Sequence, residues 1–181
     1  MSETVVNNRE VAPFRRVVTS HAGTDKDGSH VILHDDNVIL RPVLGGNAHV
    51  SPLYSSSDIP STNPHVISAE HITQAVANVP GVVLPGGTNG QITDLAPNFR
   101  VNMHRTSSID YNVFLQGSAW LIVPDGNEGE TRTEMKAGQI AVQTGTIHAW
   151  EAGPEGARWV TVVIAALPVE KDGKKFEDVD F

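Results

Sequence analysis

Short β-branched and apolar runs separated by turn residues recur along most of this chain, the pattern of strands rather than of helices. Near the start, Arg16–Thr19, Val31–Leu33 and Val38–Leu40 are β-branched runs, and the turn-forming stretch Asp25–Ser29 predicts a hairpin between the first two. The second half is denser. Phe99–Met103, Asn112–Leu115, Ala119–Val123, Thr131–Met135, Ile140–Gln143, His148–Glu151 and Trp159–Ala165 each read as a strand. Turn signals fall between them at Gln116-Gly117, Pro124-Asp125-Gly126, Ala137-Gly138, Thr144-Gly145 and Gly153-Pro154.

Two segments break the pattern. Gly45 to Pro64 is rich in Gly, Ser, Pro and Asn and reads as loop, as does Pro85–Gly90, so the whole stretch 45–90 is expected to cover one mouth of a barrel. Between them one helix is predicted over 69–79. Ser68 would cap it, Ile67 would pack on Ile72, and Pro80-Gly81 would stop it. Many short strands with a single helix outside them predict an all-β antiparallel sandwich or barrel. Residues 1–12 read as a flexible N-terminal arm, 13–168 as one barrel domain and 169–181 as a C-terminal tail.

Composition narrows the function. The 181 residues carry 13 Lys and Arg against 21 Asp and Glu, a formal net charge of −8, with no basic cluster to offset it. A nucleic-acid partner is therefore not expected. No apolar run approaches the length of a membrane span, and Met1–Glu10 has no signal-peptide core, so a cytoplasmic protein is expected. The absence of cysteine excludes disulfides, thiolate metal sites and cysteine nucleophiles.

The chemistry sits in Met103–Gly117 and Ala137–Trp150. Residues two apart share a strand face, so His104 and Thr106 look the same way, and a hairpin would bring Asp110 beside His104. His148, from a second hairpin, would complete two imidazoles and one carboxylate. That set binds one face of Fe(II) or another divalent ion; without a metal the same groups can pass protons. Gln143, Thr106, Asn112, Phe114 and Trp150 are the expected substrate-binding walls, with Gln143 holding a substrate carbonyl. Tyr111 should point outward, and Arg105 should serve the surface or an interface. His65 and His71 flank the helix start and read as surface residues, as do His21, His30, His34 and His49.

These two segments resemble the paired motifs of the cupin superfamily, G(X)5HXH(X)3,4E(X)6G and G(X)5PXG(X)2H(X)3N. His104 falls on the first histidine, Asp110 on the glutamate and Gly117 on the closing glycine, while Gly145 and His148 match the second motif. The likeness runs from about 98–117 and 138–150. Thr106 stands where the second histidine is usual, Gln143 replaces the proline, and Asn98 and Ala152 replace a glycine and an asparagine. The resemblance implies a jelly-roll β-barrel with one short helix and a long loop insertion, and a homodimer paired through N-terminal strands. It further implies a small-molecule substrate and a divalent metal (iron, zinc, manganese or nickel) on His104, Asp110 and His148, with Thr106 removing one usual ligand. A lyase or isomerase working by acid–base or metal-assisted chemistry is the first expectation. An Fe(II)-dependent dioxygenase is the second, and a non-catalytic small-ligand-binding cupin the third.

Overall fold

The computed structural model describes residues 7–22, 24, 26–61, 67–77 and 79–180. The first hairpin pairs β1 (Phe14–His21) with β2 (Val31–Val38), Phe14 opposite Val38 and His21 opposite Val31. Then come β3 (Arg41–Val43), β4 (Ala48–Ser56), helix α1 (Ala69–Ala77), β5 (Thr88–Leu95), β6 (Arg100–His104), β7 (Ser108–Pro124), β8 (Glu130–Lys136), β9 (Ile140–Thr144) and β10 (His148–Ala165). Two short strands, β11 (Glu170–Lys171) and β12 (Lys174–Lys175), close the chain.

Two long strands organise the barrel. The start of β10, His148 to Ala152, lies between β6 and the second half of β7; its remainder, Ala157 to Ala165, lies between β5 and the first half of β7. The first half of β7 pairs on its other edge with β9 and the second half with β8. Two antiparallel sheets, β3-β4-β5-β10-β7-β9 and β6-β10-β7-β8, thus share the same two strands and face each other across the interior. This is the all-β jelly-roll architecture.

The predicted turns at Gln116-Gly117 and Gly153-Pro154 are corrected by this geometry. They are corners inside continuous strands, marked by the register shift between Ala152 and Ala157. Gly117 and Gly156 have φ of 64° and 80°, and a Cβ on Gly117 would come within 2.0 Å of the Gly156 carbonyl oxygen. Only glycine lets both strands bend at one place, so a turn residue here marks a change of sheet rather than a reversal.

The expected loop over 45–64 is corrected as well, because it contains β4, and the unpredicted β5 lies beside it in the large sheet. The loop-like composition of β4 comes from buried serines. Ser51 Oγ donates to the Ile39 carbonyl (2.7 Å) and Ser55 Oγ to the Ala75 carbonyl (2.6 Å), so polar side chains are satisfied under a covering layer. Pro52 is accommodated at a bulge. Residues 48–56 and 88–90 of this stretch are therefore barrel wall rather than lid.

Helix α1 starts as predicted, with Ser68 Oγ accepting from the His71 N–H and His71 Nδ1 accepting from the Ser68 N–H. Ile67 and Ile72 are both buried. Residue 78 and His65 lie outside the described residues. Among the described residues no helix is long and apolar enough to cross a membrane.

Both chain ends differ from expectation where they are described. Residues 7–12 are held rather than free: the Asn7 N–H donates to the Gly45 carbonyl (2.8 Å), Arg9 pairs with Asp94, and Arg158 Nη2 donates to the Ala12 carbonyl (3.0 Å). The tail docks on the β6–β7 connection, where Arg105 and Val179 exchange two backbone hydrogen bonds of 2.9 Å. Ser107 Oγ donates to Asp178 (2.7 Å), and the Arg105 guanidinium lies over the Phe176 ring at 5.2 Å. Arg105 therefore clasps its own C-terminus, and the apolar Phe176 and Val179 in a charged tail are the signal for it.

Candidate functional site

The core below the site is aromatic. Phe114 is 1% exposed and stacks on Trp159 at 5.3 Å, with Trp150 tilted against both at 5.4 and 5.6 Å. Above this layer opens a cavity of about 100 Å³, walled by Val43, Leu95, Trp150 and Trp159 and carrying His104, Asp110, Asn112, Gln143, His148 and Thr161. Phe114 is corrected from pocket wall to core filler. Thr106 is corrected too: β6 ends at His104, so Thr106 leaves the strand phase and hydrogen-bonds Ser108 Oγ (2.9 Å) outside the cavity lining.

The two histidines meet by strand pairing. His104 on β6 lies directly opposite His148 on β10, with ring centroids 4.2 Å apart. Each ring is oriented by its own backbone: His104 Nδ1 bonds the Asn102 carbonyl (2.8 Å) and His148 Nδ1 the Thr146 carbonyl (2.9 Å). A carbonyl can only accept, so Nδ1 carries the proton in both rings and each Nε2 keeps its lone pair. Burial lowers the pKa of His104, and burial together with the neighbouring His104 brings His148 down to about 4. Both imidazoles are neutral at pH 7 and can accept a proton or a metal.

Asp110 reaches the cavity from the other sheet. It pairs with Gln143 on β9 and Val163 on β10, not with β6, so the predicted hairpin between His104 and Asp110 is corrected to a crossover between sheets. Its carboxyl is 7% exposed, and Oδ1 has no hydrogen-bond partner among the described residues. Burial pushes its pKa up, with a Ser108 hydrogen bond pulling the other way. Beside it Asn112 and Gln143 are joined: Thr161 Oγ1 donates to Asn112 Oδ1 (2.8 Å), and Asn112 Nδ2 donates to Gln143 Oε1 (2.8 Å). Thr161 was not expected here, although its place between the inward Trp159 and Val163 would have put it on the inner face.

A metal is the chemistry such imidazoles suggest, and the donor set tests it. The two imidazole rings lie 4.2 Å apart, but among the described residues no group of three His, Asp or Glu is placed to hold an ion. The expected three-ligand set is thus split between two sheets, a pair on one and Asp110 on the other. A three-residue metal centre does not fit this arrangement.

A phomopsin biosynthesis cluster protein D of Diaporthe leptostromiformis is 33% identical over 156 residues, covering 83% of this chain and 80% of that protein. The cupin-domain-containing oxidoreductase fogC of Aspergillus ruber is 28% identical over 172 residues, 92% of this chain and 81% of that protein. The chain belongs to the cupin superfamily. No protein-family model matches it. Among solved structures, the polyketide cyclase RemF of Streptomyces resistomycificus is similar over 70% of this cupin and 75% of that chain, at 16% identity and a TM-score of 0.42.

One departure of this cupin from the family pattern has a plain physical reading. Asn98, at the position of the first glycine, has φ of 57°, a left-handed conformation that asparagine tolerates better than most residues.

Proposed function

We propose that this cupin is an enzyme of small-molecule metabolism, one of a kind with relatives named for biosynthesis clusters, and that it works by acid–base chemistry next to a carbonyl group. Dehydration, decarboxylation, cyclisation and isomerisation all fall in this class. The observation that carries the reading is the pair of neutral imidazoles beside a buried carboxyl with an unmet oxygen, in one apolar-walled cavity.

For a dehydration the roles follow from the atoms. Gln143 Nε2, buried and without a partner among the described residues, donates to the substrate carbonyl oxygen and stabilises the enolate that forms. An imidazole Nε2 of the His104–His148 pair removes the proton from the adjacent carbon. The electron pair becomes the new C=C bond, the C–O bond breaks, and protonated Asp110 delivers its proton to the departing hydroxyl, which leaves as water. The imidazolium returns its proton to Asp110. Trp150 and Trp159 exclude bulk water and lie against the carbon skeleton.

A second reading rests on the relatives named cupin-domain-containing oxidoreductases, which favour an oxidation over the dehydration. One experiment separates the two. Protein purified without chelators or added metal is analysed for metal content and incubated with a panel of β-hydroxyketones, with loss of one water followed by mass spectrometry. Turnover by metal-free protein, absent in His148→Ala, is the expected result. Stoichiometric iron with oxygen consumption overturns it in favour of the oxidation.

We read the protein as a cytoplasmic homodimer, since a second copy would cover Val17, Val31 and Leu33, which lie exposed on one face of the β1–β2 hairpin. A monomer by light scattering sinks that.

A further inference from the structure

The polar wall opposite the histidines has a direction. Thr161 gives its hydroxyl proton to Asn112, and Asn112 gives an amide proton to Gln143, so Gln143 Oε1 already accepts one hydrogen bond. What remains is Gln143 Nε2, a donor in a side chain that is 5% exposed, with no partner among the described residues. Next to it, at the same register on the neighbouring strand, Asp110 Oδ1 is equally without a partner. Two buried side chains therefore present unmet hydrogen-bonding capacity to one cavity, a donor from Gln143 and the Asp110 carboxyl beside it. Such groups are costly to leave unmet and point to an occupant that meets them.

We propose that Thr161 is a specificity-determining residue: through Asn112 it holds Gln143 as an obligate donor, so the cavity selects a neutral hydroxycarbonyl compound, its carbonyl oxygen on Gln143 and its hydroxyl on Asp110. This deepens the acid–base reading and rests on it, because it takes the same cavity as the substrate site. The selection works against a second hydroxyl. A hydroxyl at Gln143 can accept from Nε2 as a carbonyl does, but it brings a proton that needs an acceptor of its own and competes with the Asn112 amide at Oε1. A carbonyl brings no such proton. Without the Thr161 hydroxyl the amide chain is free to reverse, Gln143 can offer Oε1, and the preference disappears. The reversal is a half-turn of the terminal amide of Asn112 and of Gln143, which exchanges the places of oxygen and nitrogen.

Diacetone alcohol and hexylene glycol share one skeleton and differ only in a carbonyl against a hydroxyl. Titrating each into labelled protein, with the Gln143 side-chain amide and the Trp150 indole followed by NMR, gives both the affinity and the place of binding. The wild type is expected to bind the hydroxyketone about tenfold more tightly. Thr161→Val should bring the two within about twofold, and Thr161→Ser, which keeps the hydroxyl, should restore the ratio. Thr161→Ala serves should the valine variant not fold. Equal binding by the wild type, or an unchanged ratio in Thr161→Val, overturns the proposal while leaving the cavity as a binding site. If neither compound moves the Trp150 and Gln143 signals, both the proposal and the substrate site on which it rests are overturned.

Discussion

Asp94 and Asp110 are buried to the same degree, each 7% exposed, yet they sit in opposite surroundings. Asp94 Oδ2 accepts from Arg158 Nε at 2.8 Å, and Oδ1 meets the Arg9 guanidinium as charge against charge rather than as an aligned hydrogen bond. Asp110 has no arginine, one oxygen without a partner among the described residues, and a pKa raised by burial. The first carboxylate fastens strand β5, strand β10 and the N-terminal segment together. The second has no such cation and is the acid of the proposed reaction. Burial alone therefore says little about role. In that proposal it is the paired arginine that separates the structural carboxylate from the working one.

That contrast can be broken by substitution. Asp110→Asn should lower turnover by about 10²–10⁴-fold, the usual worth of a positioned acid, measured with whichever hydroxycarbonyl the panel identifies. The same variant should be slightly more stable than the wild type at pH 7. A folded-state pKa above the ordinary carboxylate value means that stability falls as pH rises through that window, and asparagine removes the loss. Arg158→Met should do the reverse, costing about 3–5 kcal/mol in urea unfolding, because it strips a cation from a buried carboxylate and a donor from the Ala12 carbonyl. If the two variants destabilise alike, the distinction between the two aspartates fails.

The histidines sharpen the comparison through pH. An unfolded imidazole takes a proton below about 6.5, whereas folded His148 does so only near a pKa of about 4. Protonation in that window favours the unfolded chain, so stability should decline as pH falls from about 6.5 to about 4, by at most about 3 kcal/mol from this group. His148→Gln should flatten the decline in pH-dependent denaturant midpoints. The smallest effect belongs to Arg9→Ala, about 1 kcal/mol or less, since the Arg9 side chain is 26% exposed and Asp94 keeps Arg158.

Much of the barrel was legible in the sequence because β6 to β10 carry short β-branched and apolar runs separated by turn residues, although the inward positions Asp110, Asn112 and Gln143 are polar and the outward Val113, Ile140 and Val142 apolar. His104, Asp110 and His148 could be named in advance from the resemblance to the cupin motifs, and Gln143 and Trp150 from strand phase beside them; with Asn112 all six line the cavity. What stayed hidden has physical causes. β4 looked like loop since its inward and covered positions are serines satisfied by distant carbonyls, a compensation that no local pattern reveals. Gln116-Gly117 and Gly153-Pro154 looked like turns because a strand corner and a chain reversal ask for the same residues. Thr106 was expected beside His104 because nothing local announces that β6 stops there. Thr161 was missed for a different reason: a threonine in a β-branched run reads as filler until its hydroxyl is seen on Asn112.

The central claim is that the His104–His148 pair stands neutral, with Nδ1 protonated and Nε2 turned to chemistry, in the same cavity as Asp110. Nitrogen NMR of the histidine side chains across pH tests it without a substrate. The account predicts that His148 is the Nδ1–H tautomer at pH 7 and titrates near a pKa of about 4. An imidazolium at neutral pH, or an Nε2–H tautomer, would contradict it.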